Sequence, residues 1–244
     1  MCLKFTSKEL ADTRHRLEKK VMECFSKPTK PDVLLGSHPI VHLASVKQLI
    51  SIWHGKRIEK NLSDWVARIP GWSSKCGAVI NIRGKKREID NLVSNANLGI
   101  VLAIETKRIF KNQDNDAVIN IRNTYELYEN NKSYFIAYAG IGVAEFRFFV
   151  FDVYGETQFG LRGMPAIICG DRISDVFGKC LWKYMEWERN IIATEVYKNL
   201  DAFIKTTPEG GRDIDLDDNG LDQNECGNIS GNDVISYIDM HQRA

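Results

Sequence analysis

The sequence contains no apolar run near the ~18–20 residues that a membrane-spanning helix requires. It contains no Cys-x-x-Cys pair, and its six cysteines are widely scattered, which argues against a zinc finger and against a secreted disulfide framework. The charged N-terminal segment has no apolar signal core behind a basic start. We therefore expect a cytoplasmic protein with reduced thiols and no membrane association.

Internal repeats and low-complexity segments are also lacking in the folded part of the sequence, which excludes solenoid, collagenous and fibrous classes. The chain has 244 residues, of which 43% are apolar and 27% are charged. A compact chain of this length buries roughly 70–75% of its unfolded surface, so it needs no disulfide or structural metal to be stable. The composition predicts one globular domain with appendages.

The formal net charge of +1 hides an uneven distribution along the chain. Residues 1–111 carry 21 Lys and Arg against 10 Asp and Glu, whereas residues 208–244 carry 2 against 9. A basic half followed by an acidic end indicates a surface that faces a polyanion and a solvated tail. Ordinary solvated helix faces explain the same counts about equally well.

Hydrophobic periodicity predicts an α+β fold with a mixed sheet. Apolar residues at helical spacing favour helices over 7–25, 44–69, 114–131 and 173–204. Short β-rich runs between turn residues favour strands over 76–83, 87–94, 98–108, 133–139 and 144–153. Gly140-Ile141-Gly142 is interpreted as the hairpin turn between the last two strands rather than a phosphate loop. The resulting order is helix, three-strand meander, helix, strand.

One group of charged residues ends an otherwise apolar strand. Glu105 and Lys107 follow the run from Ile100 to Ile104, and they project from one face because strand side chains alternate. Asp90 lies in the preceding predicted strand. The sequence leaves open whether strand register brings Asp90 opposite this end. A surface Glu–Lys pair beside an unrelated aspartate is the alternative interpretation.

Two nearby carboxylates repel each other, and a hard divalent cation with oxygen ligands removes that repulsion. Mg²⁺ takes one or two protein carboxylates and keeps its remaining positions for water and substrate phosphate oxygens. Such a site can activate water and stabilise charge on phosphorus, and a neighbouring lysine can orient that water or hold the phosphate. The residue types therefore point to phosphodiester hydrolysis.

The pattern of Ile89-Asp90, fourteen intervening residues and Glu105-Thr106-Lys107 resembles the PD-(D/E)XK phosphodiesterase superfamily. The order helix, three strands, helix, strand over about residues 44–153 is similar to the core of that family. The proline that usually precedes the aspartate is replaced by Ile89. The resemblance implies a restriction-endonuclease-like fold in which Asp90, Glu105 and Lys107 are catalytic.

The same resemblance implies a Mg²⁺-dependent enzyme, with Mn²⁺ as a substitute, that cuts double-stranded DNA. The chain length suits a Type II restriction enzyme, and the resemblance to those enzymes implies a homodimer that cuts both strands. Repair, mobile-element and toxin nucleases share this core, and a non-catalytic nucleic-acid-binding member is a further alternative. The implied parts are a helical N-terminal extension over 1–43, a nuclease domain over 44–207 and an acidic, flexible tail over 208–244.

Family members often carry a glutamate on the helix before the first strand, and Glu59 fits this position. It lies on the apolar stripe of the second helix, so we expect it to join Asp90 and Glu105 as a metal ligand. An exposed glutamate near a helix start is the alternative. Basic residues around the trio are expected to contact DNA phosphates: Lys85, Lys86, Arg87, Arg108 and Lys111.

Overall fold

The computed structural model describes residues 5–28, 30, 34, 36–108, 110, 115–155, 164–178 and 180–206. Within these ranges the chain forms six α-helices and one five-stranded sheet. The helices are α1 (Ser7–Phe25), α2 (Pro39–Val66), α3 (Asn115–Glu129), α4 (Lys132–Tyr138), α5 (Ile173–Phe177) and α6 (Cys180–Thr206). The strands are β1 (Trp72–Ile82), β2 (Lys85–Asn95), β3 (Ile100–Lys107), β4 (Glu145–Asp152) and β5 (Ala166–Cys169).

The sheet is mixed, and its strands lie in chain order from β1 to β5. β1, β2 and β3 form an antiparallel meander, whereas β4 pairs with β3 and β5 pairs with β4 in parallel. A parallel pair needs a crossover connection, and α3 and α4 lie between β3 and β4 in the chain. The predicted α+β class with a mixed sheet and an antiparallel meander is confirmed.

Apolar side chains cover both faces of the sheet. On one face, β2, β3 and β4 pack against α2, α5 and α6 through residues that include Leu62, Ile104 and Phe151. On the other face, Phe135 and Tyr128 of α4 and α3 pack against the sheet. Because both faces are buried, β3 can be apolar along most of its length, as its sequence indicates.

The first helix has the predicted bounds, Ser7–Phe25. Thr6 is its N-cap, and it forms a reciprocal capping box with Glu9. Leu17 and Val21 of α1 pack against Ile191 and Ile192 of α6. The N-terminal helix is thus packed on the C-terminal helix.

The predicted boundary between residues 43 and 44 lies inside a continuous helix. α2 begins at Pro39, because His38 caps its N-terminus and proline is well suited to a first helical position. Gly55 does not interrupt α2. The predicted tail over 208–244 lies outside the described residues.

The strand predicted over 133–139 is wrong, because Lys132–Tyr138 forms helix α4. Its aromatic and β-branched residues favour a strand locally, but Phe135 is fully buried against Tyr128 and Phe146, at ring distances of 4.7 and 4.8 Å. Tertiary packing therefore overrides the local preference. The glycines at 140 and 142 connect α4 to β4 and are not a hairpin turn.

The single helix predicted over 173–204 is two helices. Gly178 adopts a φ of +91°, outside the helical region, and it separates α5 from α6. The short strand β5, which precedes these helices, was not predicted because a four-residue apolar run carries almost no periodic signal.

The cysteines differ from expectation at one position. Cys24 and Cys76 carry free thiols, Cys169 Sγ lies 4.0 Å from Asp152 Oδ2, and Cys180 is disulfide-bonded. The expectation of reduced thiols is therefore not met at Cys180, and the cytoplasmic location stays a prediction. None of the described helices combines the length and apolarity needed to cross a bilayer.

Candidate active site

Strand register brings Asp90 to Glu105, which the sequence left open. Towards the C-terminal end of β3, the last paired residues are Asn91 of β2 and Ile104 of β3. The same register continued by one residue sets Asp90 opposite Glu105. At this point the backbone ladder ends. Beyond this point the Asp90 side chain takes the place of a backbone carbonyl as hydrogen-bond acceptor, because Thr106 N–H donates to Asp90 Oδ2 at 2.8 Å.

Glu105 and Lys107 lie on the same face of β3, as alternation predicts. Lys107 Nζ lies 2.7 Å from Glu105 Oε1, and the two side chains are 25% and 23% exposed. Glu105 is therefore held between a cation on its own strand and the carboxylate of Asp90 on the neighbouring strand. The predicted catalytic trio of Asp90, Glu105 and Lys107 is brought together.

The carboxylate of Asp90 is poorly accommodated as an anion. Burial, with the nearby charge of Glu105, raises its pKa from the usual 3.8 to about 7. The hydrogen bond from Thr106 N–H and the charge of Lys107 oppose this rise, and Glu59 adds to it. Excess negative charge at this strand end is what a bound cation would relieve.

Glu59 faces inward, as predicted, at 9% exposure. Its partner is Lys56, whose Nζ lies 3.2 Å from Glu59 Oε2, and its backbone carbonyl accepts a hydrogen bond of 2.8 Å from Asn91 Nδ2. In the part of the chain that the structure describes, no three His, Cys, Asp or Glu side chains form a group that could hold a metal. Asp90 and Glu105 are thus adjacent, but Glu59 does not complete a three-carboxylate group with them.

Two buried polar atoms beside the trio lack hydrogen-bond partners within the described ranges: Thr106 Oγ1 and Asn91 Oδ1. Thr106 lies between Glu105 and Lys107, and Asn91 follows Asp90. Buried polar groups are nearly always satisfied, so unsatisfied ones call for an explanation, and functional sites are a common one. Because strand side chains alternate, these two side chains project from the face opposite to the carboxylates, towards α2, where Asn91 Nδ2 donates to Glu59 O.

Two members of the trio, Glu105 and Lys107, border a cleft between β3, β4 and α3. The cleft has a volume of about 200 Å³, and Glu105 and Lys107 form one wall of it. Asn120 and Thr124, one helical turn apart on α3, supply polar groups on the opposite wall. Sequence reasoning missed these two residues, although their spacing of four on an amphipathic helix is a usable signal.

The predicted DNA-binding residues occupy three places. Lys85, Lys86 and Arg87 are exposed at the start of β2, on the outer end of the β1–β2 hairpin. Arg108 is exposed directly after β3. Lys111 lies outside the described residues. Three of these five residues therefore share one hairpin end, roughly 10–17 Å along β2 from Asp90.

A buried aspartate fixes the chain segments that follow β3 and β4. Asp152 is 1% exposed, and its Oδ1 accepts a hydrogen bond of 3.0 Å from Phe110 N–H. Gly155 N–H also donates to this carboxylate, and burial raises the pKa of Asp152. Val153 N–H donates to Lys107 O at 2.8 Å, so the Asp152 turn is tied directly to the backbone of Lys107.

Gly155→Ala is expected to destabilise the protein by about 1–3 kcal/mol, because an added Cβ would overlap the Asp152 carboxylate. The measurement is the free energy of unfolding by urea. Gly142→Ala is the matched control, because no atom of the residues that the structure describes lies within 4 Å of its added Cβ, and its φ is not positive. If the two variants are equally stable, the Asp152 side chain can move away from the added Cβ at no cost, and the prediction is wrong.

No protein-family model matches this sequence, and no curated protein matches it at a significant level. The geometry of the residues themselves is therefore the basis for assigning a function.

Proposed function

We propose that this chain is a Mg²⁺-dependent endonuclease that hydrolyses phosphodiester bonds in double-stranded DNA. The observation that carries the proposal is the placement of Asp90, Glu105 and Lys107 at the end of the β2–β3 pair, beside a cleft. Paired carboxylates with an adjacent lysine are suited to metal-assisted phosphoryl chemistry. The proposed fold is a restriction-endonuclease-like core of the PD-(D/E)XK superfamily.

The residues present fit a divalent cation. Asp90 and Glu105 supply adjacent carboxylate oxygens, and burial together with the charge of Glu105 raises the pKa of Asp90. Mg²⁺ needs only one or two protein carboxylates. Asp90 and Glu105 would hold the ion, with Glu59 contributing negative charge from α2. When bound, the ion supplies Lewis-acid chemistry and lowers the pKa of water.

The protein groups have separable roles in this mechanism. The Thr106 N–H bond fixes the Asp90 carboxylate, so its direction is set before DNA binds. Lys107 lies at 2.7 Å from Glu105, and its ammonium group is free to share its other protons with a phosphate oxygen or the attacking water. Asn120 and Thr124 border the same cleft and can donate hydrogen bonds to DNA.

The resemblance to Type II restriction enzymes extends the proposal to a homodimer that cuts both strands at a defined sequence. The experiment is incubation of supercoiled plasmid with the purified protein in Mg²⁺, in Mn²⁺ and in EDTA. Cleavage in both metals and none in EDTA is expected. Discrete linear fragments would support sequence-specific cutting, and a smear would favour a nuclease of another role. Intact plasmid bound by the protein would favour the non-catalytic binding module.

The basic hairpin end is expected to contribute to DNA affinity without taking part in chemistry. Replacing both Lys85 and Lys86 by Ala should reduce the slope of log affinity against log salt by up to ~2 units, since each phosphate contact contributes about 0.9. The measurement is binding of a labelled duplex in EDTA across salt concentrations. Replacing Lys198 and Lys205 on α6 by Ala removes the same charge and should leave the slope unchanged. Equal effects of the two double variants would contradict the assigned DNA-binding surface.

A further inference from the structure

A second cluster of basic and aromatic residues lies at the same end of the sheet as the catalytic trio. The parallel pairing of β3 and β4 continues past both strands, because Tyr154 N–H donates to Arg108 O at 2.9 Å. This bond sets Arg108 beside Tyr154, one residue after Lys107. Since successive side chains alternate, Arg108 projects from the face opposite to Lys107, and its Nη1 contacts Ser51 Oγ of α2 at 3.0 Å.

Two helices, α2 and α6, place side chains against the Tyr154 side chain. His54 of α2 places Nε2 at 3.2 Å from the Tyr154 hydroxyl oxygen. Arg189 of α6 places its guanidinium carbon 4.7 Å from the centre of the Tyr154 ring. We refer to His54, Arg108, Tyr154 and Arg189 as the arginine–tyrosine cluster. Its two arginines are exposed, while its histidine and tyrosine are partly buried.

The two exposed arginines differ from a third arginine nearby in their carboxylate partners. A third arginine nearby, Arg57, is paired with Glu188 through contacts of 2.9 and 2.5 Å, and Glu188 is 2% exposed. Asn61 Nδ2 also donates to Glu188 at 2.5 Å, so this carboxylate is fully engaged. Among the described residues, neither Arg108 nor Arg189 forms an ion pair with a carboxylate.

The electrostatics of His54 agree with a local excess of positive charge. Burial, followed by the charges of Arg108, Arg189 and Arg57, lowers the pKa of His54 to about 4, while Glu188 opposes this effect. His54 is therefore neutral at pH 7, and it contributes a hydrogen bond to Tyr154 rather than a charge. The cluster thus presents two guanidinium groups and one oriented hydroxyl.

These groups match the chemistry of a phosphate. Guanidinium groups form bidentate hydrogen bonds to phosphate oxygens. When the neutral histidine is the Nε2–H tautomer and donates to the tyrosine oxygen, the tyrosine hydroxyl keeps its own proton and can donate one more hydrogen bond. We propose that the arginine–tyrosine cluster binds a phosphate group of the DNA backbone other than the one that is cut. This inference rests on the proposed nuclease function, and it assigns a binding role to His54, Tyr154 and Arg189.

The cluster lies one residue beyond the catalytic lysine on the same strand, so one DNA strand that crosses this sheet end can meet both sites. Phosphate contacts of this kind set the position and register of a nucleic acid without reading its sequence. The cluster would therefore fix where the scissile phosphate falls relative to Asp90 and Glu105.

The first test measures binding of a labelled duplex in EDTA, so that no cleavage is required. Arg189→Gln and Arg108→Gln should each reduce the salt slope by about 0.9 and weaken binding severalfold. Lys183→Gln, an exposed position on the same helix as Arg189, should leave both quantities unchanged. Thermal unfolding of each variant confirms that the fold is retained. If both arginine variants show the same slope of log affinity against log salt as the wild type, the inference is overturned.

The second test uses inorganic phosphate and follows the ring protons of His54 by NMR, assigned with His54→Gln. In the wild type, the chemical shifts of these protons should change as phosphate is added and reach a plateau. Lys183→Gln should show the same change, and Arg189→Gln should not. If wild type binds phosphate this way but binds no DNA, the nuclease proposal and the assignment of the cluster to a DNA phosphate both fail, and the cluster is a site for another anion. If DNA is cut in Mg²⁺ but the arginine variants bind like wild type, the nuclease proposal stands and the cluster assignment fails. No His54 shift in a protein that also binds no DNA would overturn the cluster assignment.

Discussion

Asp90→Asn is expected to abolish DNA cleavage and, at neutral pH, to raise the thermal stability of the protein. The amide keeps an oxygen that can accept the hydrogen bond from Thr106 N–H, so local structure should be preserved. It removes the negative charge that burial and Glu105 make unfavourable. A variant that loses activity but gains stability would show that the charge of Asp90 serves function and does not stabilise the fold.

The pH dependence of this gain follows from the pKa of Asp90. Because the folded-state pKa is raised from 3.8 to about 7, the folded protein retains a proton that the unfolded chain has released between these pH values. The free energy of unfolding therefore falls as pH rises from about 4 to about 7, by roughly 4 kcal/mol at most. Solvent screening at this partly exposed position lowers the expected gain to about 2 kcal/mol, or ~4–8 °C in melting temperature.

The measurement is the melting temperature of wild type and Asp90→Asn from pH 4 to pH 8 in EDTA. The difference should be small near pH 4 and largest above pH 7. Asp116→Asn, at an exposed position in the first turn of α3, should give no such gain. A variant that is less stable than wild type at pH 8 would contradict the electrostatic description of the site.

Lys107→Ala is expected to lower the cleavage rate by about 10²–10³-fold, the usual cost of removing one positioned donor from a reacting centre. Its effect on stability should be within ~1 kcal/mol, because the Lys107–Glu105 pair is about a quarter exposed. Lys107→Arg should restore little activity, since a planar guanidinium replaces a compact ammonium group. Single-turnover cleavage of a labelled duplex in Mg²⁺ measures both effects.

The control for Lys107 is Lys132→Ala, which removes an exposed lysine at the start of α4. It should cut at the wild-type rate. Full activity of Lys107→Arg would instead indicate that the position supplies only positive charge, and full activity of Lys107→Ala would exclude a role in the reaction.

Much of the candidate site could be predicted because its information is local. Side-chain alternation places Glu105 and Lys107 on one face of β3, and the apolar residues before them mark the strand. The helical stripe around Glu59 correctly indicates an inward-facing carboxylate. The pairing of Asp90 with Glu105 was not accessible, because it depends on the register of β2 against β3.

The remaining differences arise where distant residues decide the structure. The segment Lys132–Tyr138 has strand-forming side chains, yet the pocket for Phe135 between Tyr128 and Phe146 selects a helix. The arginine–tyrosine cluster joins α2, the end of β3, the end of β4 and α6, and His54 and Arg189 are 135 residues apart. No periodic or spacing signal in the sequence connects such positions.

The most direct test of the central claim compares wild type, Glu105→Gln and Glu88→Gln for cleavage of an end-labelled duplex in Mg²⁺. Glu88 is exposed on β2, two residues before Asp90, so Glu88→Gln removes a matched charge from outside the trio. We predict that wild type and Glu88→Gln cut the duplex in Mg²⁺ and not in EDTA, while Glu105→Gln binds it without cutting. Cleavage by Glu105→Gln at the wild-type rate, or cleavage by wild type that persists in EDTA, would contradict the account.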